Sequence, residues 1–473
     1  MPKPNVLLIM ADQFRGDCLG IDGHPDVKTP FLDTLALQGA RFTRAYTATP
    51  SCIPARAGLM TGMCPAHHGR VGYQDGVPWN YENTLAGCFT QAGYQTKCVG
   101  KMHVHPLRNR LGFEDVELHD GYLHYYRRPD TPAYEYQLTA DDYFYEMQGL
   151  GHKDVMDTGL DCNGSAARPW PYAEETHPTR WVGDRAVDFL RRRDREHPFF
   201  LTVSFVRPHP PFDAPEAFFD MYRGKDLRPP VIGDWAPETP SRMQGSQFGI
   251  ADPDLLREAQ TGYYACITQV DYQIGRIMEM LVQERLAPDT YVIFLADHGE
   301  LLGDHNLFRK SLPYEGSARV PLLIAGPGIV PGTVSDMPVE LMDVMPSLLD
   351  GCGISIPDTV DGKSFLPLAR GEKAQWREWI HGEHAYAWER GGVQFIVTGH
   401  DKYIWFSCDG REQYFDLAAD PREEKDRIAD PACQARIAEL RAILIRELNG
   451  REEGFSDGSR LIPGRPCVSV LHR

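Results

Sequence analysis

Short apolar runs alternate with stretches of helical periodicity along most of the chain. Asn5–Met10, Thr96–Val99, Phe199–Val206, Tyr291–Ala296 and Pro321–Ala325 read as strands. Between them the spacing predicts helices over Thr29–Gln38, Asn83–Ala92, Trp181–Arg193, Pro253–Glu284 and Met342–Asp350. In the longest of these, Ile267, Val270, Ile274, Ile277, Met278 and Leu281 recur at helical spacing. Asp252 and Pro253 give it an N-cap residue followed by a first-turn proline. Strand alternating with helix predicts an α/β fold with a large, mostly parallel sheet sandwiched by helices.

The pattern breaks in two places. Arg207–Ala251 is rich in Pro, Gly and Asp with little periodicity, which reads as a long surface loop serving as lid or pocket wall. Beyond residue 375, the stretch IVTGHDKYIWFSCDGREQYFDL predicts antiparallel strands with tight turns at Gly399–Lys402 and Asp409–Gly410. A terminal helix is expected at about Ala432–Leu448. The chain therefore divides into a catalytic-sized α/β domain, 1–375, and a smaller C-terminal α+β domain built on an antiparallel sheet, 376–473.

Composition narrows the function. With 42% hydrophobic and 11% aromatic residues over 473 positions, the chain can bury a sizeable core. A formal charge of −17 argues against nucleic acid and against anionic membrane surfaces, both of which need basic patches. An acidic exterior still admits an anionic substrate where the site itself is cationic. The apolar run Val6–Ala11 is too short for a signal peptide or a membrane span, and no later segment qualifies. The eleven cysteines are odd in number and lack paired spacing, so reduced thiols and a cytoplasmic location are expected.

Chemistry collects at the carboxyl ends of the predicted strands, where open α/β sheets bind ligands. These ends carry Asp12-Gln13, Lys101 with His103, His209, and Asp297-His298-Gly299-Glu300. Taken singly, each reads as a cap, a turn or a surface charge. The stretch SCIPARAGLMTG adds a cysteine at a predicted helix start. Pro54 suits the first helical turn, Ala55 to Met60 favour helix, and Gly62 is a stop. Cys52 near that N-terminus suits a thiol with a lowered pKa, and equally an ordinary small buried cysteine.

Together these residues carry a resemblance. Cys52-Ile53-Pro54-Ala55-Arg56, trailed by Leu59-Met60-Thr61-Gly62, is similar to the signature of the type I sulfatases of the alkaline phosphatase superfamily. In that family the motif is Cys-x-Pro-x-Arg with Leu-x-Thr-Gly, and a maturation enzyme oxidises its cysteine to formylglycine. The family's other motifs follow in order: Asp12, Gly-Lys-x-His with Lys101 and His103, Pro-His-x-Pro-Phe with His209, Asp297-His298-Gly, and Lys310. The resemblance extends to Lys402-Tyr403 and Tyr414-Phe415-Asp416-Leu417.

The resemblance implies a hydrolase of sulfate monoesters with a formylglycine-generating enzyme as maturation partner. It implies a metal set of Asp12, Gln13, modified Cys52, Asp297 and His298, holding Ca²⁺, with Mn²⁺ or Mg²⁺ as alternatives. It implies a catalytic set of Cys52, Arg56, Lys101, His103, His209 and Lys310. The hydrate of formylglycine is a geminal diol: one hydroxyl attacks sulfur while His209 protonates the leaving alcohol, and the other gives up a proton, to His103, as sulfate is eliminated. Lys101, Lys310 and Arg56 are cations suited to a dispersed sulfate anion. His305 and His384 are candidates for substrate contact, and the aromatic stretches Tyr122–Tyr126, Tyr143–Tyr145 and His384–Trp388 either wall the pocket or pack the core. His105 and Glu300 neighbour the motifs without a role that the residues specify.

Gln13 stands where many sulfatases carry a second Asp, and His298 where many carry Asn. That pairing is similar to choline sulfatases and to phosphonate monoester hydrolases, so a phosphonate or phosphodiester substrate is the alternative reading. A non-catalytic binding protein on the same scaffold is the second alternative. The alcohol half of the substrate and the oligomeric state carry no motif.

Overall fold

The computed structural model describes residues 3–121, 138–156, 158–238, 252–386 and 391–472. Its centre is an eight-stranded sheet of β1 (Asn5–Asp12), β2 (Ala40–Phe42), β4 (Gln95–Gly100), β5 (Asp115–Leu118), β6 (Phe199–Pro208), β7 (Thr290–Ala296), β8 (Leu322–Ala325) and β9 (Thr333–Ser335). The order is β5-β4-β6-β1-β7-β8-β2-β9. From β5 to β7 every neighbour is parallel, and β8 runs antiparallel to both β7 and β2. β1, β6 and β7 are buried almost throughout, as strands covered on both faces must be. The helices Pro30–Gln38, Pro178–Arg192 and Pro253–Gln283 pack with one another and on the sheet, while Cys52–Thr61, Leu85–Gln91 and Val344–Gly351 form a second group. A separate pair joins β3 (Ala45–Tyr46) to β10 (Val339–Glu340).

The C-terminal portion is an antiparallel meander of β11 (Trp379–Tyr386), β12 (Gly391–Thr398), β13 (Asp401–Phe406) and β14 (Glu412–Asp416). Its period of two sorts side chains between two cores. Ile396, Tyr403, Trp405 and Tyr414 pack with Ile437, Leu440 and Leu444 of the helix Gln434–Glu447. Val393, Phe395, Val397, Ile404 and Phe415 pack instead with Leu301, Leu307, Leu312 and Tyr314, which follow β7. Lys402 ties the same junction: its Nζ donates to Pro313 O at 2.7 Å, to Glu315 at 2.8 Å and to Glu423 at 2.8 Å.

The elements follow the hydrophobic pattern, with differences at their ends. The helix expected from Trp181 begins at Pro178, where His177 accepts a capping bond from Thr179 N. The one expected from Met342 opens as a 3₁₀ turn, Leu341–Asp343, closed by a reciprocal cap between Glu340 and Asp343. The Arg207–Ala251 stretch is not loop throughout: it starts as the end of β6 and contains the short helix Glu216–Phe219. Residues 239–251, the aromatic stretch Tyr122–Tyr126 and Trp388 lie outside the described residues. All eleven cysteines are unpaired, and among the described residues no helix is long and apolar enough to cross a membrane.

Candidate active site

Parallel pairing places the ends of β4, β6, β1 and β7 side by side along one edge of the sheet. The registers Gly100↔Ser204, Ala11↔Phe205 and Ala11↔Ala296 bring the residues just beyond those ends to a common level. Lys101, His209, Asp12 and Asp297 with His298 therefore converge, although they are far apart in sequence. Gly100 makes the turn under Lys101 feasible. Its φ is +95°, and a Cβ there would sit 2.0 Å from Ser204 O.

Cys52 is the first residue of the helix Cys52–Thr61, every residue of which is buried, and Gly62 closes it at φ 68°. Cys52 Sγ lies 3.2 Å from His298 Nε2, 3.7 Å from Asp12 Oδ1 and 3.8 Å from Lys101 Nζ. Burial and Asp12 push the Cys52 thiol up, but Lys101, Lys310 and His298 together bring it below the ordinary thiol value. One turn along, Arg56 is locked in place: Nε donates to Asp297 at 2.9 Å, and Nη1 to Lys101 O at 2.7 Å and Ser204 Oγ at 3.1 Å. Its Nη2 lies 3.6 Å from Asp12 Oδ2 and has no hydrogen-bond partner.

Asp12, Cys52, Asp297 and His298 each offer one ligand atom, and these atoms all lie within 4.8 Å of one another. The set fits a divalent cation. His298 Nδ1 lies 2.9 Å from Gly299 O, a carbonyl that can only accept. The proton therefore sits on Nδ1, and the Nε2 lone pair faces the cluster. Burial works against a charged His298, but Asp297 and Cys52 together more than offset it and raise the imidazole pKa.

Cations surround the cluster. Burial alone would make Asp12 hard to ionise, but Lys101, His209, His298 and Arg56 hold it well below the usual carboxylate range. Lys101 Nζ contacts Asp12 directly. Burial lowers the Lys310 pKa, against the pull of Cys52 and Asp12. Lys310 Nζ donates to Gln13 Oε1 at 2.6 Å. Gln13, at φ 66°, is held further by its Nε2 donating to Glu300, and its backbone N–H donates to Asp297 at 3.2 Å. Its side chain thus orients a lysine and spans to Glu300.

His209 is buried, with Nδ1 3.0 Å from Pro210 O, so Nε2 is the nitrogen left for chemistry. Burial and Lys310 push its pKa well down. His103 is also buried, with Nε2 3.8 Å from Asp75 and the Tyr73 ring edge-on at 6.0 Å.

The two histidines proposed for substrate contact part ways. His305, in Gly303-Asp304-His305 beside the Asp297–Glu300 motif, is turned elsewhere: its Nδ1 accepts from Gly233 N at 3.1 Å and its ring packs on Trp235 at 4.5 Å and Tyr314 at 5.8 Å. That ring anchors the segment after Leu227 instead of facing the cluster. His384, on β11, is buried and interacts electrostatically with His298. Sequence reading gives Glu300 no role and does not single out Arg309 or Asp120. Glu300 accepts from Gln13, from Leu302 N at 2.9 Å and from Arg309 N. Arg309 bonds Asn163 at 2.8 Å and interacts with Cys52. Asp120 accepts from the backbone N–H groups of Met102 at 2.8 Å and His103 at 3.0 Å. Of these, Glu300 lies two residues past His298 and Arg309 directly precedes Lys310.

The sequence matches a family model described as Sulfatase over residues 4–354, and one described as N-sulphoglucosamine sulphohydrolase, C-terminal, over residues 303–449. It is 49% identical to an arylsulfatase of Clostridium perfringens (strain 13 / Type A), over 99% of this chain and 99% of that protein. It is 32% identical to a choline-sulfatase of Rhizobium meliloti (strain 1021), over 91% of this chain and 83% of the relative. Among solved structures, the phosphonate monoester hydrolase of Agrobacterium radiobacter superposes with a TM-score of 0.77 at 26% identity, covering 94% of this chain and 95% of that one.

Proposed function

The chain belongs to the sulfatase family of the alkaline phosphatase superfamily and hydrolyses sulfate esters, and we propose that it does so through an oxidised Cys52 beside a divalent cation. The observation that carries this is the convergence of Cys52 with Asp12, Asp297 and His298 inside a ring of buried cations.

A divalent cation held by Asp12, Asp297, His298 and the side chain at position 52 supplies a compact positive charge that favours an ionised oxygen nucleophile. Ca²⁺ is the expected ion. The imidazole of His298 makes Mn²⁺ the first alternative, ahead of Mg²⁺. Formylglycine at position 52 supplies a hydrate with two hydroxyls, one to attack sulfur and one whose deprotonation drives sulfate out. Arg56, pinned by Asp297 and Ser204, orients that residue. Lys101 and Lys310 receive the sulfate oxygens. His209 presents Nε2 to the leaving alcohol as its proton source once the negative charge of bound sulfate offsets the burial and the Lys310 charge that hold its pKa down, and His103 takes up the proton released at the second step. In this reading Gln13 belongs to the metal site by placing Lys310 beside it.

Residues 1–375 form the catalytic unit and 376–473 the subdomain that closes it. The unpaired cysteines support a reducing, cytoplasmic setting. A second reading keeps the site but changes the substrate. The likeness to a phosphonate monoester hydrolase, with Gln13 and His298 at the positions noted above, favours phosphonate monoesters as that alternative.

Intact-mass spectrometry of protein made together with a formylglycine-generating enzyme tests the nucleophile. The mass should fall as a thiol becomes an aldehyde at Cys52, and persistent unmodified cysteine would leave a non-catalytic binding protein as the better reading. Rates of the matured protein on matched aryl sulfate and aryl phosphonate esters test the substrate. A preference for phosphorus would sink the sulfatase assignment.

A further inference from the structure

His384 is a buried polar side chain that the mechanism above does not use. β11 carries it against the catalytic unit, with Glu383 N donating to Ala48 O at 2.7 Å and Ala385 N to Val71 O at 2.7 Å. The strand's alternation turns Glu383 to Arg451 and Gln394 on one side. His384 and Tyr386 share the other side, with ring centroids 5.2 Å apart, and Tyr386 Oη donates to Ser311 O at 2.9 Å, next to Lys310. His384 is thus held between the segment leading to Cys52 and the loop bearing Lys310, close enough to His298 to feel its charge. It is 1% exposed, and its ring nitrogens make no hydrogen bond of good geometry, only a weak approach to the Ala385 backbone.

Buried polar atoms are almost always paired, so an unsatisfied imidazole nitrogen beside a reaction centre points to a partner that arrives with the substrate. We propose that His384 is a substrate-contacting residue that hydrogen-bonds a hydroxyl group next to the scissile ester, so that the enzyme prefers sulfate esters whose alcohol half carries a neighbouring hydroxyl. This deepens the sulfatase reading and rests on it. The chemistry of the partner follows from the ring. Burial pushes the His384 pKa down to about 3, so the imidazole is neutral, with one N–H donor and one acceptor nitrogen. A hydroxyl, itself donor and acceptor, can pair with whichever ring nitrogen faces the substrate. Sulfate oxygens only accept, and in the proposed mechanism Lys101 and Lys310 receive them. A quaternary ammonium group can do neither.

Catechol monosulfate and phenyl sulfate differ by that one hydroxyl. Two measurements are needed: kcat/KM for sulfate release by the matured enzyme, and calorimetric affinity of the same esters for the unmatured Cys52 protein. Wild type should favour catechol monosulfate at least ~10-fold in both, since sites built for a substrate hydroxyl discriminate strongly against its loss. His384→Ala should collapse both ratios to within about twofold, and His384→Asn, which keeps a donor and an acceptor, should restore part of the preference. A wild type that treats the two esters alike, or an alanine variant with unchanged ratios, overturns the proposal. Absence of sulfate release from either ester would instead overturn the sulfatase reading, and the affinity ratio would still decide His384.

Discussion

Lys310 Nζ and Gln13 Oε1 are 2.6 Å apart, and the other end of the same amide donates to Glu300. A neutral side chain thus separates a cation from a carboxylate at the floor of the site. Its two ends are not interchangeable, because only the oxygen can receive Lys310 and only the nitrogen can satisfy Glu300.

Gln13→Glu would set two carboxylates against each other, and kcat/KM should fall sharply. Adding Glu300→Gln restores a donor on the opposite side, so the double variant should recover much of the loss. Steady-state kinetics across the double-mutant cycle should give a coupling of about 1–3 kcal/mol. Strictly additive losses would show that the bridge has no functional weight.

His209→Asn should slow turnover by about 10²–10⁴-fold, the usual contribution of a positioned acid. The loss should be greatest for alkyl sulfates, whose leaving oxygens need the proton most, and least for nitrophenyl sulfate. Equal losses along such a leaving-group series would contradict the assigned role.

Chelation should abolish turnover and lower the melting temperature, because an ion bound only by the folded site stabilises it by mass action. Returning Ca²⁺ should restore both. His298→Asn exchanges a nitrogen donor for an oxygen one, and the thermal shift given by Mn²⁺ should shrink relative to that given by Ca²⁺. An unaltered ratio of the two shifts would place His298 outside the ligand set.

Acid should destabilise the fold in a definable window. Burial lowers His24 and His305 from the ordinary 6.5 to about 4. The unfolded chain therefore takes up protons before the native one does. Their contribution is whole above pH 6.5 and is lost as the pH falls toward 4. Denaturation midpoints across this range should show the decline, and His305→Phe should flatten it. An equally steep profile in that variant would refute the account.

Lys402→Met would strand Glu315 and Glu423 in the junction between the two sheets. Breaking a buried ion pair from one side costs ~3–5 kcal/mol, measurable by chemical denaturation. A loss below ~1 kcal/mol would mean that water enters the junction freely.

The strand ends were readable because a parallel sheet makes position along a strand equivalent to position in space. Asp12, Lys101, His209 and Asp297 needed only their place after an apolar run. Residues whose work depends on loop shape were not readable. Glu300 reaches Gln13 because the chain turns tightly between Asp297 and Leu302, and Arg309 reaches Asn163 across 146 positions. His305 looked like a pocket residue because of its neighbours in sequence. Trp235, the ring that claims it, belongs to a segment without periodicity. His384 is a candidate from sequence, but only two backbone bonds from β11 show which wall it joins.

The complete burial of Cys52–Thr61 also sets an order in time. A catalyst that recognises Cys52, Pro54 and Arg56 together can do so only while this helix is still an open strand of chain. In the proposed maturation, folding and oxidation are therefore in competition, and each molecule that closes first is shut out of the reaction for as long as it stays native. The yield of active enzyme in a cell becomes a ratio of rates. Slowing translation through the first hundred residues, or delaying closure of the sheet, should raise that yield without altering any residue of the site.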